Sequence, residues 1–269
     1  MIYETIQLTA CETKTKLIVY APDNHPEIDE QRTRPAVVLC AGGAYAFRSF
    51  REAEPIALQL MAADVCVFML EYAVAPARYP TALTQLAAAV QYVRKHAQKY
   101  HVKSDKIVVM GFSAGGHLAA SLGVRWNEAF LAKSVKAHPS QLRPDGMILC
   151  YPVITGGTFT HEGSMKNLTG EEDADKWECQ SLEQLVSRET PPAFLWHTCS
   201  DPSVPVENSM LFFSALRKHG VNAELHIYPK GGHGLSLCNS LTSAPNNPDS
   251  IQPAAENWLS MAIRWLKDL

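Results

Sequence analysis

From residue 36 onward, apolar runs too short to be helices alternate with segments long enough to be helices: 36–40 then 54–63, 66–70 then 81–100, 106–110 then 114–124. The rhythm resumes with strands at 146–151 and 193–198, a helix over about 206–219, a strand at 223–228 and a closing helix over about 253–267. Strands connected through helices re-enter a sheet in the same direction, so the sheet is expected to be parallel. The runs are apolar throughout instead of alternating, which means both faces are covered. These patterns predict a doubly wound α/β fold with a mostly parallel central sheet. Only the first twenty residues depart from it, where 2–8 and 16–20 alternate like two antiparallel strands ahead of a turn-rich stretch at 21–34. At 269 residues and 46% hydrophobic, the chain suits one α/β domain over 1–269. Two irregular segments interrupt it, 155–192 and 235–252; the first is expected to be a small polar lid or loop insertion.

The run Val108-Val109-Met110-Gly111-Phe112-Ser113-Ala114-Gly115-Gly116-His117 passes from an apolar strand through GxSxG into an Ala-rich helix. That context marks the nucleophile elbow of an α/β-hydrolase rather than a serine that only caps a helix. The glycines two residues either side of Ser113 leave room for chains that would otherwise collide. The helix after it offers a positive end to a developing anion. Upstream, the strand ending at Cys40 leads into Ala41-Gly42-Gly43-Ala44-Tyr45. Donors for an oxyanion must be backbone N–H groups that approach closely, which small residues permit. Gly43 and Ala44 are the expected donors on that side, with Ala114, the residue after the nucleophile, on the other.

A serine hydroxyl needs an imidazole to take its proton, and the imidazole needs a carboxylate to hold its tautomer. In α/β-hydrolases the chain order is Ser, acid, His. Downstream of Ser113, the strand Ala193-Phe194-Leu195-Trp196-His197-Thr198 runs into Cys199-Ser200-Asp201-Pro202, and the strand ending at Tyr228 runs into Lys230-Gly231-Gly232-His233-Gly234. Asp201 and His233 therefore complete the expected triad. Of the remaining histidines, His197 and His226 lie in strands and read as packed. His117, four residues past Ser113, reads as structural. His161, in the expected lid, is a candidate substrate contact.

These residues together resemble α/β-hydrolase esterases related to the acetyl esterases and acetyl xylan esterases, a branch often labelled sugar hydrolase or xylanase-like esterase. The resemblance covers nearly the whole chain. Besides the triad loops it rests on Gly42-Gly43-Ala44-Tyr45, Arg51-Glu52-Ala53-Glu54-Pro55, Tyr151-Pro152-Val153, Asp201-Pro202-Ser203-Val204-Pro205 and Glu207-Asn208-Ser209. Many relatives carry His-Gly-Gly-Gly at the oxyanion loop; here Ala41 takes the place of the His and Ala44 that of the last Gly. The resemblance implies a serine carboxylesterase that removes short acyl groups, acetyl first, from polar alcohols such as sugars. Tyr45, Phe159 and Trp177 are then candidates to stack on a sugar ring. A serine peptidase of the prolyl-oligopeptidase type and a non-catalytic hydrolase-fold binding protein are the alternatives.

The net charge of −3 and scattered Lys and Arg leave no basic run for nucleic acid. No apolar stretch approaches the ~18 residues of a membrane span, and the N-terminus lacks the pattern of a signal peptide, so a cytoplasmic enzyme is expected. The seven cysteines, Cys11, Cys40, Cys66, Cys150, Cys179, Cys199 and Cys238, are an odd number with no CxxC pair, which suits neither a disulfide framework nor a zinc ribbon. No metal or organic cofactor is implied. The expected partner is a small-molecule ester, and a homodimer stays open.

Overall fold

A computed structural model describes residues 1–10, 13–244 and 247–269. Cys11 thus lies outside the described residues, as do two positions of the 235–252 segment, 245 and 246. The strands form one sheet in the order β1-β2-β4-β3-β5-β6-β7-β8. β1 (Ile2–Ala10) and β2 (Thr13–Ala21) are the antiparallel pair that the alternation predicts, and β2 joins β4 (Cys66–Leu70) antiparallel. From β4 across β3 (Arg34–Cys40), β5 (Val102–Phe112), β6 (Gly146–Cys150), β7 (Ala193–Thr198) and β8 (Ala223–Tyr228) every pairing is parallel. β3, β6 and β7 are buried at every position, as continuous apolar runs require when helices cover both faces.

The two faces can be followed residue by residue along β3. Val38 and Cys40 point into one core together with Leu86 and Val90 of α2 (Thr81–Lys95), Leu118 and Leu122 of α3 (Ala114–Arg125), and Phe212 and Leu216 of α6 (Glu207–Lys218). Val37 and Leu39 point the other way, into Ile56 and Leu60 of α1 (Glu54–Ala62) and Leu259, Ala262 and Leu266 of α7 (Trp258–Asp268). Each fully buried aliphatic side chain contributes roughly 1.5–3 kcal/mol, so this double layer is the main source of stability.

Several elements differ from the sequence reading. The helix expected over 81–100 stops at Lys95, where His96 leaves helical geometry (φ −109°, ψ 19°), and the turn after it closes with Val102 N–H on the Ala97 carbonyl at 2.8 Å, so that β5 starts at Val102. The closing helix begins at Trp258, not 253, after a turn in which Ala255 and Glu256 both donate to the Gln252 carbonyl. The larger difference is 155–192. This segment contains α5 (Glu162–Thr169), which presents Met165 and Leu168 on one face. These two, with Trp177, Leu182 and Val186, join the larger core. Despite its acidic surface, the segment therefore packs part of its length into the body of the fold. A short helix, α4 (Ala129–Val135), also went unread because seven residues give too little periodicity.

His117 ties this segment to the rest. It is 1% exposed, and its Nε2 lies 3.1 Å from the Gln180 carbonyl, which can only accept, so Nε2 carries the proton. Nδ1 then accepts from the Tyr45 hydroxyl at 2.9 Å. Burial holds the ring neutral, pushing its pKa down to about 4. Between about pH 6.5 and 4 the unfolded chain binds a proton here that the folded chain refuses, so this site removes stability as the pH falls. Over that window the wild type should lose about 3 kcal/mol more unfolding free energy in urea than His117→Gln, a residue without a proton to gain. Parallel declines in the two proteins would refute the assignment.

Candidate active site

Ser113 sits where β5 turns into α3, with φ 53° and ψ −119°. That conformation costs a side-chain-bearing residue roughly 1–3 kcal/mol and persists only when its surroundings over-determine it. Here they do. Ser113 N–H donates to the Cys150 carbonyl at 3.0 Å, and its own carbonyl accepts from His117 and Val153, each at 3.1 Å. The flanking glycines are sterically required: a Cβ at Gly111 would stand 2.0 Å from the Gly115 carbonyl oxygen, and one at Gly115 would stand 2.3 Å from that of Cys40. α3 can therefore pass directly against the end of β3 only with these residues.

His233 lies in the loop after β8. Its Nε2 is 2.8 Å from Ser113 Oγ and its Nδ1 is 2.7 Å from Asp201 Oδ2. Asp201 follows β7, as expected, and its other oxygen accepts the N–H groups of Ser203 at 2.9 Å and Val204 at 3.0 Å. Its carboxylate is closed to solvent, while the His233 side chain keeps 21% exposure toward the cavity. Burial alone would raise Asp201, but the bonds from His197 and His233 outweigh it and hold the carboxyl well below the usual range. Asp201 is thus ionised and acceptor-only, which fixes the proton of a neutral His233 on Nδ1 and leaves Nε2 free to accept from the serine.

His197 supports Asp201 in a way the sequence did not disclose. Its Nε2–H donates to the Val204 carbonyl at 2.9 Å and lies 3.4 Å from Asp201 Oδ2, while Nδ1 accepts from the Ser209 hydroxyl at 2.8 Å. Buried in β7, it braces the loop that carries the acid. Its place one residue before the strand end was the only available signal, and that reads equally as packing.

On the opposite side of Ser113, Gly43 (φ 129°), Ala44 (φ 54°) and Tyr45 (φ 56°) all take positive φ, which turns the 41–45 loop sharply beside the serine. Among the described residues no acceptor is bound to the N–H of Gly43, Ala44 or Ala114. Gly42, by contrast, gives its N–H to Glu52. A cavity of about 200 Å³ opens here, lined by Gly43, Ala44, Phe47, Ser113, His161 and His233 among others. A larger groove of about 560 Å³ lies over β1, β2 and β4 and shares Phe47 with this cavity, but contains none of Ser113, Asp201 and His233.

The four substrate-contact candidates separate. His161 lines the cavity, and its Nδ1 accepts the Ser164 N–H at 3.1 Å as the N-cap of α5. Phe159 is 37% exposed but does not line the cavity. Tyr45 and Trp177 are corrected: each is 2% exposed, Tyr45 spends its hydroxyl on His117, and the Trp177 indole N–H donates to the Glu171 carbonyl at 3.0 Å. Their rings fill the core, so neither face is free to stack on a sugar. Among the described residues no group of three His, Cys, Asp or Glu side chains could hold a metal ion, and no helix is long and apolar enough to cross a membrane.

A mostly parallel sheet covered on both faces, with a strained serine at its edge hydrogen-bonded through histidine to aspartate, defines an α/β hydrolase. Within that class the chain belongs to the BD-FAE family, whose model matches residues 19–216. It is 37% identical over 211 residues to "Endo-1,4-beta-xylanase B" of Butyrivibrio fibrisolvens, an alignment that takes in 77% of this chain and 33% of that protein. The chain thus spans about a third of the length of that curated relative. Among solved structures, the "acetyl ester-xyloside bifunctional hydrolase" of Caldicellulosiruptor lactoaceticus is 36% identical with a TM-score of 0.80, over 95% of this chain and 88% of that one. The carboxylesterase Cest-2923 of Lactobacillus plantarum WCFS1 is 31% identical with a TM-score of 0.89, over 100% and 98%.

The reactivity of the site can be read without any substrate. A fluorophosphonate should label Ser113 alone, and His233→Ala should slow labelling by about three orders of magnitude because no base then takes the hydroxyl proton. Labelling at the wild-type rate in that variant would show that His233 does not activate the serine.

Proposed function

We propose that this chain hydrolyses carboxylic esters through Ser113, His233 and Asp201, with short acyl groups, acetyl first, on polar alcohols such as sugars as its substrates. The observation that carries the reading is the unbroken hydrogen-bonded series from Ser113 Oγ through His233 to Asp201 at the mouth of a small cavity. Ser113 Oγ attacks the ester carbonyl carbon while His233 Nε2 takes its proton. The carbonyl oxygen gains the negative charge and turns toward the N–H groups of Gly43, Ala44 and Ala114. His233 then returns the proton to the departing alkoxide, leaving an acyl-serine. A water molecule, deprotonated by the same nitrogen, attacks that acyl group, the bond to Ser113 Oγ breaks to release the acid, and His233 returns the proton to the serine oxygen.

Two features support a short acyl chain. The cavity, about 200 Å³, falls below the roughly 300–1,000 Å³ that encloses drug-sized ligands, so it suits an acetyl group better than a long chain. Its rim carries the polar groups Ser49, Arg51, His161 and Ser203, which offer hydrogen bonds to an alcohol rather than an apolar trough. Each buried methylene of a long acyl chain would be worth about 0.8 kcal/mol, and little surface here could collect it. The names of the relatives, acetyl ester-xyloside hydrolase and carboxylesterase, support the same chemistry. A cytoplasmic setting suits the described cysteines, all of which are free.

Ser113→Ala should lower kcat for p-nitrophenyl acetate by about three orders of magnitude or more with the fold intact. Along the series from acetyl to dodecanoyl esters, kcat/KM should be highest at the short end, and acetate should be released from acetylated xylo-oligosaccharides. A value that climbs beyond octanoyl would require a lipase-like pocket. Turnover of prolyl p-nitroanilides at comparable rates would restore the peptidase reading. Activity should rise along a sigmoid as the pH increases, since only a neutral imidazole accepts the serine proton.

A further inference from the structure

Glu52 is a carboxylate with 3% exposure that lines the cavity beside Ser113. It is neither the triad acid nor an oxyanion donor. Burying a charge costs several kcal/mol unless hydrogen bonds replace its water. Its two hydrogen-bonding partners are neutral groups, and both belong to the machinery around the serine. Oε2 accepts the Gly42 N–H at 2.9 Å, and Oε1 accepts the Tyr151 hydroxyl at 2.7 Å. Tyr151 Oη in turn accepts the Ser236 N–H at 2.9 Å. Its proton points at Glu52, and the Gly42 amide can only donate, so both carboxyl oxygens accept and neither partner is placed to take a carboxyl proton, an arrangement that suits the ionised form. Burial pushes the other way, raising its pKa against these bonds.

We infer that Glu52 is a positioning residue for ester hydrolysis, a single buried carboxylate that bridges the loop offering the oxyanion donors to the loop carrying His233; this rests on the esterase reading above. On the donor side, Gly42 immediately precedes Gly43 and Ala44. It is wedged so tightly that a Cβ there would lie 2.5 Å from Glu52 Oε2 and 3.1 Å from Ser113 Cβ. The bond to Glu52 therefore sets how far the donors stand from the serine. On the histidine side, the Tyr151 ring meets the His233 ring edge-on, with centroids 5.2 Å apart. Ser236, three residues past His233, is held by Tyr151 through its N–H and by the Arg51 carbonyl through its hydroxyl. Its carbonyl accepts from the Trp258 indole at 2.9 Å. Donor loop, nucleophile and base are thus referenced to one side chain.

The charge has its own consequence. Glu52 interacts electrostatically with His233, which also faces Asp201, the Tyr151 ring, His161 and, beside Gly234, Arg51. A negative charge favours the imidazolium that forms when His233 takes the serine proton. Its removal should extend activity to lower pH, a readout that a purely structural role would not move.

The experiment compares wild type, Glu52→Gln and Tyr151→Phe on p-nitrophenyl acetate across pH, with thermal melts to confirm folding. Glu52→Gln should lower kcat by about 10- to 100-fold. Its KM should stay within about two-fold. The acid limb of kcat/KM should move down by about 0.5 pH unit. Tyr151→Phe keeps the charge but breaks the bridge, so kcat should drop about 10-fold with the acid limb in place. Wild-type kcat or an unmoved acid limb in folded Glu52→Gln would overturn the inference. If Glu52→Gln does not fold, Tyr151→Phe decides alone, with an unchanged kcat overturning the bridge. A wild-type enzyme that hydrolyses no ester would instead remove the esterase reading and this inference with it.

Discussion

The backbone at Ser113 is held in a conformation it would not choose, and the sheet makes that possible. With φ 53° and ψ −119°, the serine depends on hydrogen bonds from the ends of β6 and α3. Those bonds depend on parallel strands whose C-terminal ends lie level. The register carries Cys40 opposite Gly111 and Phe112 opposite Cys150, so three strands end around Ser113. Burial of both sheet faces prevents any one of them from shifting, because a one-residue slip would turn a core side chain toward the opposite face.

The site contains two buried carboxylates, and their surroundings separate their tasks. Asp201 accepts two backbone N–H groups and the His233 imidazole, with His197 3.4 Å away, which keeps it ionised and aims it at one ring nitrogen. Glu52 accepts one amide and one phenol and reaches no imidazole directly. The first is aimed at the His233 imidazole; the second ties the 41–45 loop to Tyr151. Segment 155–192 contributes His161 to the cavity and, through Gln180 and His117, braces Tyr45 of the 41–45 loop from behind. Tyr45 and Trp177, which look like candidate ligands in sequence, are core rings instead, where a large aromatic side chain stabilises more than one left on a surface.

Much of the arrangement was legible in local patterns. The alternation of apolar runs and helical segments determined a doubly wound sheet, since continuous apolar strands are stable only between two layers of helix. GxSxG between a strand and an Ala-rich helix determined the place of Ser113, since only glycine tolerates the close approach there. The order of strands placed Asp201 and His233 after β7 and β8. What only the tertiary structure decided were the contacts made across long stretches of chain: Glu52 with Tyr151, 99 residues apart, and His117 with Gln180, 63 apart. A buried glutamate and an exposed one look alike in sequence, as do an aromatic ring in a core and one in a binding site. Periodicity reports which face of an element is apolar. Which polar atom meets which is decided only when the loops at the sheet edge pack together and each buried group must find its partner.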